Sequence, residues 1–330
     1  MKICIASFSK RIMYDHVLQY GMTDFYESLK QYVENNPQHE YSYYNFSFDK
    51  GAKRNNEALE QADTIIFPAA QEFIYFTGAM HSLNVKKIRD HVRETFPYLQ
   101  NKNIILMTQD RHVNEDLIMT KTFENKVKPK SFQTIDEMDF TCCLKGLHYY
   151  YIKKQNRFPT LKTNDFVYWG SAKTKFASGK NSEDERVDII KNIRKLHEMK
   201  FLSSILIGRW PYKSDEKWLS LKDTLPYLDK SYTTLCFNWI DQTALTARYH
   251  EALACDVVPL VWKNYDSTNI LVADDWQRCF TIKDFYDKIE VVKKSDMWLN
   301  KIKEKFIYKL PTEKQYYEEF EKRLNDCIKR

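Results

Sequence analysis

Glycine is scarce in this sequence: seven in 330 residues. Any grip on phosphate must therefore use few glycine-rich loops and more side chains. Long apolar runs are missing too. None approaches the roughly 18 residues that a membrane-crossing helix needs, so no membrane partner is expected. The opening MKICIASFS is too short and too soon polar for a secretory leader. It reads instead as the buried first strand of a cytoplasmic protein. The seven cysteines form no CxxC pair and have no regular spacing, which excludes a zinc site of the usual pattern. Their odd number indicates reduced thiols, with Cys4, Cys236 and Cys255 as core filler. No tandem repeat of 20–50 residues is visible.

What is present is the composition of a folded, two-domain chain. Hydrophobic residues make up 43% and charged residues 29%, enough to bury one large core or two moderate ones. The net charge of +6 is mild. It is compatible with an anionic ligand or a polyanionic substrate and diagnostic of neither.

The first half alternates strands and helices. Strands are expected at Lys2–Phe8, Tyr41–Phe48, Asp63–Pro68 and Asn103–Thr108. Helices are expected around Thr23–Val33, Asn56–Gln61 and Ser82–Thr95. Such alternation with continuous apolar strands implies a parallel sheet covered on both faces. Residues 120–165 are less regular, and a domain junction is placed near Thr163. The alternation then restarts. Strands are expected at Asp165–Tyr168, Ser203–Ile207, Thr233–Phe237, Val257–Trp262 and Cys279–Thr281. Helices are expected at 183–199, Thr246–Ala254, Ile282–Val292, Asp296–Phe306 and Glu313–Ile328. The fold class is α/β, with two Rossmann-like halves and a cleft between them.

The segment richest in chemistry is Thr246–Lys263, TARYHEALACDVVPLVWK. Arg248 and Glu251 are three apart and share a helix face. A cation and a carboxylate there suit a nucleoside diphosphate, with arginine on phosphate oxygens and glutamate accepting from ribose hydroxyls. The alternative is a surface ion pair within one helix. Val167–Arg186 places Gly170 and Ser171 after a strand and Arg186 in a first helical turn, where free N–H groups attract an anion. Lys173, Lys175 and Lys180 lie on the loop between and read equally as a solvated basic loop. Gly208 follows a strand. Asp110 follows the buried strand NIILMT, at the end of an α/β strand where ligands collect. It reads as a catalytic carboxylate or as a turn or N-cap aspartate.

These residues together resemble the T-even phage DNA glucosyltransferases, the α and β enzymes that glycosylate hydroxymethylcytosine in DNA. Thr246, Arg248, Glu251, Ala254 and Asp256 match the β-type pattern T-x-R-x-x-E-x-x-A-x-D. Glu251–Lys263 is similar to the α-type segment. The resemblance implies a GT-B fold of two Rossmann-like domains whose parallel sheets face a central cleft. It implies an acceptor domain over 1–163, a UDP-sugar domain over 164–308, and a terminal helix over 309–330 crossing back to the first.

It further implies a donor site of Gly170, Ser171, Arg186, Gly208, Arg248 and Glu251. Asp110 would be the general base on the acceptor hydroxyl. Gln71 and Arg111 would lie on the acceptor side. The acceptor would be a hydroxymethylated pyrimidine in double-stranded DNA, turned out of the stack. Lys121, Lys128, Lys130, Lys153 and Lys154, interleaved with tyrosines, would follow the DNA backbone; an ordinary solvated face is the other reading. The donor would be UDP-glucose or UDP-arabinose. Mg²⁺ is compatible but not required, since no convincing DxD is present and no protein metal ligand is expected. A monomer is expected. Two rivals remain: a GT-B enzyme with a carbohydrate or lipid acceptor, and an inactive DNA-binding protein of the same fold.

Overall fold

The computed structural model describes residues 1–7, 23–45, 55–68, 97–108, 127–136, 145–155, 157–158, 160–170, 182–208, 210–216, 219, 221–237 and 247–329. In chain order its regular elements begin with β1 (Lys2–Ser7), α1 (Thr23–Asn35), β2 (Glu40–Asn45), α2 (Asn56–Gln61), β3 (Thr64–Phe67), β4 (Asn103–Thr108) and β5 (Ser131–Asp136). There follow α3 (Lys145–Lys154), β6 (Asn164–Trp169), α4 (Ser182–Glu198), β7 (Ser204–Ile207), α5 (Leu221–Asp229), β8 (Ser231–Cys236), α6 (Arg248–Ala254) and β9 (Val258–Trp262). The chain ends with β10 (Arg278–Cys279), α7 (Ile282–Lys294), α8 (Met297–Lys309) and α9 (Glu313–Lys329). Two compact units result: one holds β1 to β5 and the terminal segment from Thr312, the other runs Lys145–Pro311.

The first unit is a five-stranded sheet in the order β2-β1-β3-β4-β5, parallel throughout. All four residues of β3 are buried, which demands cover on both faces. Cys4, Ala6, Ile65, Phe67, Ile104 and Leu106 share one core with α2 residues Ala58 and Leu59. Helix α9 packs on α1, β4 and β5. Its Tyr316, Phe320, Leu324 and Ile328 are buried and recur every four residues, which sets them along one face. Each such side chain contributes about 1.5–3 kcal/mol on burial. Polar clasps fix the helix: Tyr32 donates to Asn325 Oδ1 at 2.7 Å, Asn36 to Glu321 Oε1 at 2.8 Å, and Gln133 to the Cys327 carbonyl at 2.9 Å.

The second unit repeats the design. Its sheet runs β7-β6-β8-β9-β10, again parallel throughout. In both sheets the second strand of the unit lies outside the first and the remainder add on the other side. The order of strand addition therefore reverses between β1 and β3, and between β6 and β8. Ligands of open α/β sheets sit beyond the carboxyl ends of strands at such reversals.

Three elements depart from the sequence expectation. Strand β5 and helix α3 fall in the stretch read as irregular, and α5 was not expected. Ser131–Thr134 of β5 are only half-buried, as an edge strand allows, so it has no apolar run to announce it. Pro226 sits inside α5 and removes a backbone donor, which normally argues against a helix. Burial of Leu221, Thr224, Leu225 and Leu228 offsets that loss. The expected helix Ser82–Thr95 lies outside the described residues. Among the described residues no helix is long and apolar enough to cross a membrane.

Candidate functional site

The carboxyl ends of β6, β7 and β8 converge with the first turn of α6. Two glycines bring the backbones together. Gly170, after β6, has φ +148°, and Gly208, after β7, has φ +123°. Both lie where a Cβ is penalised. A Cβ on Gly208 would fall 1.7 Å from the Gly170 carbonyl oxygen, so the two turns touch backbone to backbone. The Gly170 N–H donates to the Ile207 carbonyl at 3.0 Å, and that of Gly208 to the Glu216 carbonyl at 3.0 Å.

Arg248 and Glu251 reach the same place from α6. Arg248 Nη1 donates to the Tyr168 hydroxyl at 3.2 Å and Nη2 to the Trp169 carbonyl at 2.6 Å. Its guanidinium lies 4.5 Å from the centroid of the Tyr168 ring and 5.4 Å from that of Trp169, close enough for cation–π attraction. A Cβ on Gly170 would meet Nη2 at 2.9 Å. Arg248 Nε is buried without a hydrogen-bond partner among the described residues. Glu251 is 6% exposed, and its Oε2 accepts from the Trp169 indole N–H at 2.7 Å. The surface-pair alternative is therefore corrected. Glu251 is buried, and the bonds of Arg248 run to Tyr168 and Trp169 rather than along its own helix.

Helix α4 starts at Ser182, so Arg186 is its fifth residue, just past the first turn in which it is expected, with its guanidinium 5.9 Å from the centre of the Trp210 ring. Trp210 in turn meets Tyr168 edge-on at 5.4 Å. Beside Arg186, Glu185 takes Lys263 at 2.7 Å and the Trp262 indole at 3.1 Å. Its carboxyl is held below the usual range, chiefly by the Lys263 bond, against the upward push of burial. This pins the end of β9 to the start of α4. Tyr168, Trp169 and Trp210 were given no role from the sequence. Their signal was position alone: aromatics at strand ends next to glycine.

Other expected residues lie elsewhere. Lys128 and Lys130 are exposed and precede β5, at the amino end of the first sheet. Lys153 and Lys154 end α3. Lys153 pairs with Asp256 at 3.3 Å, and Lys303 pairs with the same oxygen. Asp256, which completes the matched motif, has φ +59° and turns the chain from α6 towards the amino end of β9. Lys162 donates to the carbonyls of Ser231 and Asp256 at 2.6 Å each; burial lowers its pKa against the pull of nearby aspartates. Arg157 is spent on Asp229 at 2.8 Å and the Ala254 carbonyl at 2.6 Å. These groups line a cavity of about 410 Å³. Lys128, Lys130, Lys153, Lys162 and Arg157 thus lie at amino ends of strands and do not join the glycine turns. Asp110, Gln71, Arg111, Lys121 and Ser171 lie outside the described residues. Among the described residues no three His, Cys, Asp or Glu side chains are grouped to hold a metal ion.

No family model and no curated protein sequence matches the chain. Solved structures do. The DNA-modifying enzyme β-glucosyltransferase, with and without uridine diphosphoglucose, is 13% identical with a TM-score of 0.60 over 100% of both chains. The T4 phage enzyme bound to UDP-glucose is 16% identical, TM-score 0.59, over 99% of both. An α-glucosyltransferase with UDP and a 13-mer DNA containing an HMU base is 12% identical, TM-score 0.58, over 99% of both. At these identities the likeness is one of fold: the chain has the two-domain α/β fold of the GT-B type along its whole length.

Proposed function

We propose that this chain is a nucleotide-sugar-dependent glycosyltransferase that modifies DNA, moving a sugar from a UDP-sugar to the hydroxymethyl group of a pyrimidine. The observation that carries the reading is the pairing of Arg248 and Glu251 at the carboxyl ends of β6 to β8, beside two glycine turns with no room for a side chain. Gly170 and Gly208 let the ends of β6 and β7 meet backbone to backbone, with Arg248 against Gly170, beneath the place where the donor would lie. Arg248 is held by two hydrogen bonds and two aromatic faces, so its charge is preorganised for a leaving diphosphate. Its Nε, buried and without a partner among the described residues, is a further donor for that anion. Arg186, one turn into α4, adds a second cation. Glu251 accepts from the ribose hydroxyls.

On the acceptor side, Asp110 follows β4 by two residues and is the general base. The acceptor hydroxyl becomes acidic as it attacks the sugar carbon, so a carboxylate suffices. Solved relatives of this fold include complexes with UDP-glucose and with DNA, which supports both substrates. Lys128, Lys130, Lys153 and Lys154 are not assigned to DNA, because they lie at amino ends of strands. Arg111 and Lys121, which follow β4 in sequence, remain assigned to it, as does Gln71 after β3. A divalent ion, where used, would be held by the diphosphate, since the described residues supply no cluster for it.

The test is turnover. UDP-glucose or UDP-arabinose is incubated with duplex DNA containing hydroxymethylcytosine or hydroxymethyluracil, and the digested nucleosides are weighed. A gain of one hexose or pentose, lost in Asp110→Asn, establishes the activity and names donor and base. UDP release with a carbohydrate acceptor and none with DNA would refute the DNA half. DNA binding without any UDP binding would refute the enzyme.

A further inference from the structure

Trp169 is the last residue of β6 and immediately precedes Gly170. It makes three contacts with the two key residues of α6. Its indole N–H donates to Glu251 Oε2 at 2.7 Å, its carbonyl accepts Arg248 Nη2 at 2.6 Å, and its ring faces the guanidinium at 5.4 Å. Glu251 is almost fully buried, so water does little to orient its carboxylate. We propose that Trp169 is a positioning residue: its indole N–H fixes the Glu251 carboxylate so that the site reads the ribose hydroxyls of the nucleotide and rejects 2′-deoxyribose. This rests on the donor-site reading above.

The choice of side chain fits the task. Indole is a donor only, with a single N–H and no charge. It holds one carboxylate oxygen by one lone pair and adds no opposing charge of its own, whereas lysine or arginine there would form an ion pair and weaken the carboxylate as an acceptor. A carboxylate has about four acceptor positions in all, so the single indole N–H sets the plane of the group while occupying only one of them. Because the same residue also carries Arg248 on its carbonyl, ribose and phosphate contacts share one rigid strand end. Sites built to hydrogen-bond a hydroxyl discriminate strongly against the analogue without it, because the buried partner is left unpaired. Loosening the carboxylate lets it turn to other partners, and discrimination falls.

The experiment compares binding of UDP and 2′-deoxy-UDP by calorimetry in the wild type and in Trp169→Phe, which keeps a ring and loses the N–H. The wild type should prefer UDP. In Trp169→Phe the preference should shrink about tenfold, the scale of one hydrogen bond to a charged group. In turnover KM for the donor should rise with little change in kcat. Trp169→Phe added to Glu251→Ala should change the preference no further. If Trp169→Phe does not fold, the wild-type indole ¹⁵N–¹H resonance of Trp169 carries the test: it should move on saturation with UDP and much less with 2′-deoxy-UDP. A wild type that binds neither nucleotide overturns the donor reading and this inference with it; one that binds both alike overturns this inference alone. A wild type that discriminates, with an unchanged ratio in folded Trp169→Phe or an unmoved indole signal, overturns this inference alone.

Discussion

Replacing Gly208 by alanine should damage the molecule at a calculable scale. Its φ of +123° is closed to residues with a Cβ, and such strain costs about 1–3 kcal/mol. The new methyl would also sit 1.7 Å from the Gly170 oxygen and 2.7 Å from its carbonyl carbon, so backbone must move rather than a flexible side-chain end. The Gly170 N–H to Ile207 bond, at 3.0 Å, is the first casualty and adds about 0.5–1.5 kcal/mol. The sum, about 1.5–4.5 kcal/mol, corresponds to a melting temperature lower by about 3–18 °C. Calorimetric melting of the full chain, paired with UDP titration, reads both consequences. Gly170→Ala is the companion: its methyl meets only the tip of Arg248 at 2.9 Å, so it should melt nearer the wild type yet lose more UDP affinity for each degree lost. A Gly208→Ala protein melting within about 1 °C of wild type would refute the close approach of these turns.

Three further outcomes follow from contacts away from the glycines. Asp256→Asn should keep its positive φ and lose the pairs to Lys153 and Lys303, which are half-exposed; urea midpoints should report a loss of no more than about 1 kcal/mol, and UDP binding should not change. Burial pushes the Asp274 carboxyl up, but bonds from Lys305, the Trp276 N–H and Lys301 outweigh it and hold the group at about 2. A depressed folded value means its stabilisation is complete above the ordinary carboxylate range near pH 4 and drains away as pH falls towards about 2. Asp274→Asn should flatten the stability profile in that window, and parallel profiles for the two proteins would contradict it. Burial pushes the thiols of Cys4, Cys236, Cys255 and Cys279 up to about 12. Peptide mapping after maleimide treatment at about pH 8 should find these four unmodified in the native protein and modified in urea.

The parts of the fold legible in the sequence were those whose burial is uniform. NIILMT and TIIF are apolar at nearly every position, and a strand covered on both faces has no other way to look. The short helix expected at Asn56–Gln61 is found over the same residues. Strand β5 was not, because an edge strand can carry glutamine and threonine. Helix α5 was not, because Pro226 mimics a break that tertiary burial overrides. In the site, Arg248 and Glu251 could be paired by spacing, but the partners that hold them could not. Trp169 and Tyr168 lie some eighty residues earlier and meet α6 only through the sheet order. Charge density along a sequence does not say which end of a sheet it decorates: Lys153 is engaged by Asp256, and Arg157 by Asp229 and the Ala254 carbonyl, at the amino ends of strands.

The place of α9 has a consequence for how the protein is made. The first unit is built from the earliest residues and a helix that leaves the ribosome only after the whole second unit has been synthesised. Until then the nascent first sheet has no cover for the surface that Tyr316, Phe320, Leu324 and Ile328 will occupy. The described part of the second unit falls within one stretch of sequence, Lys145–Pro311, and can close as it emerges. Order of synthesis and order of completion are therefore inverted, and the half assigned to DNA is the last to become whole.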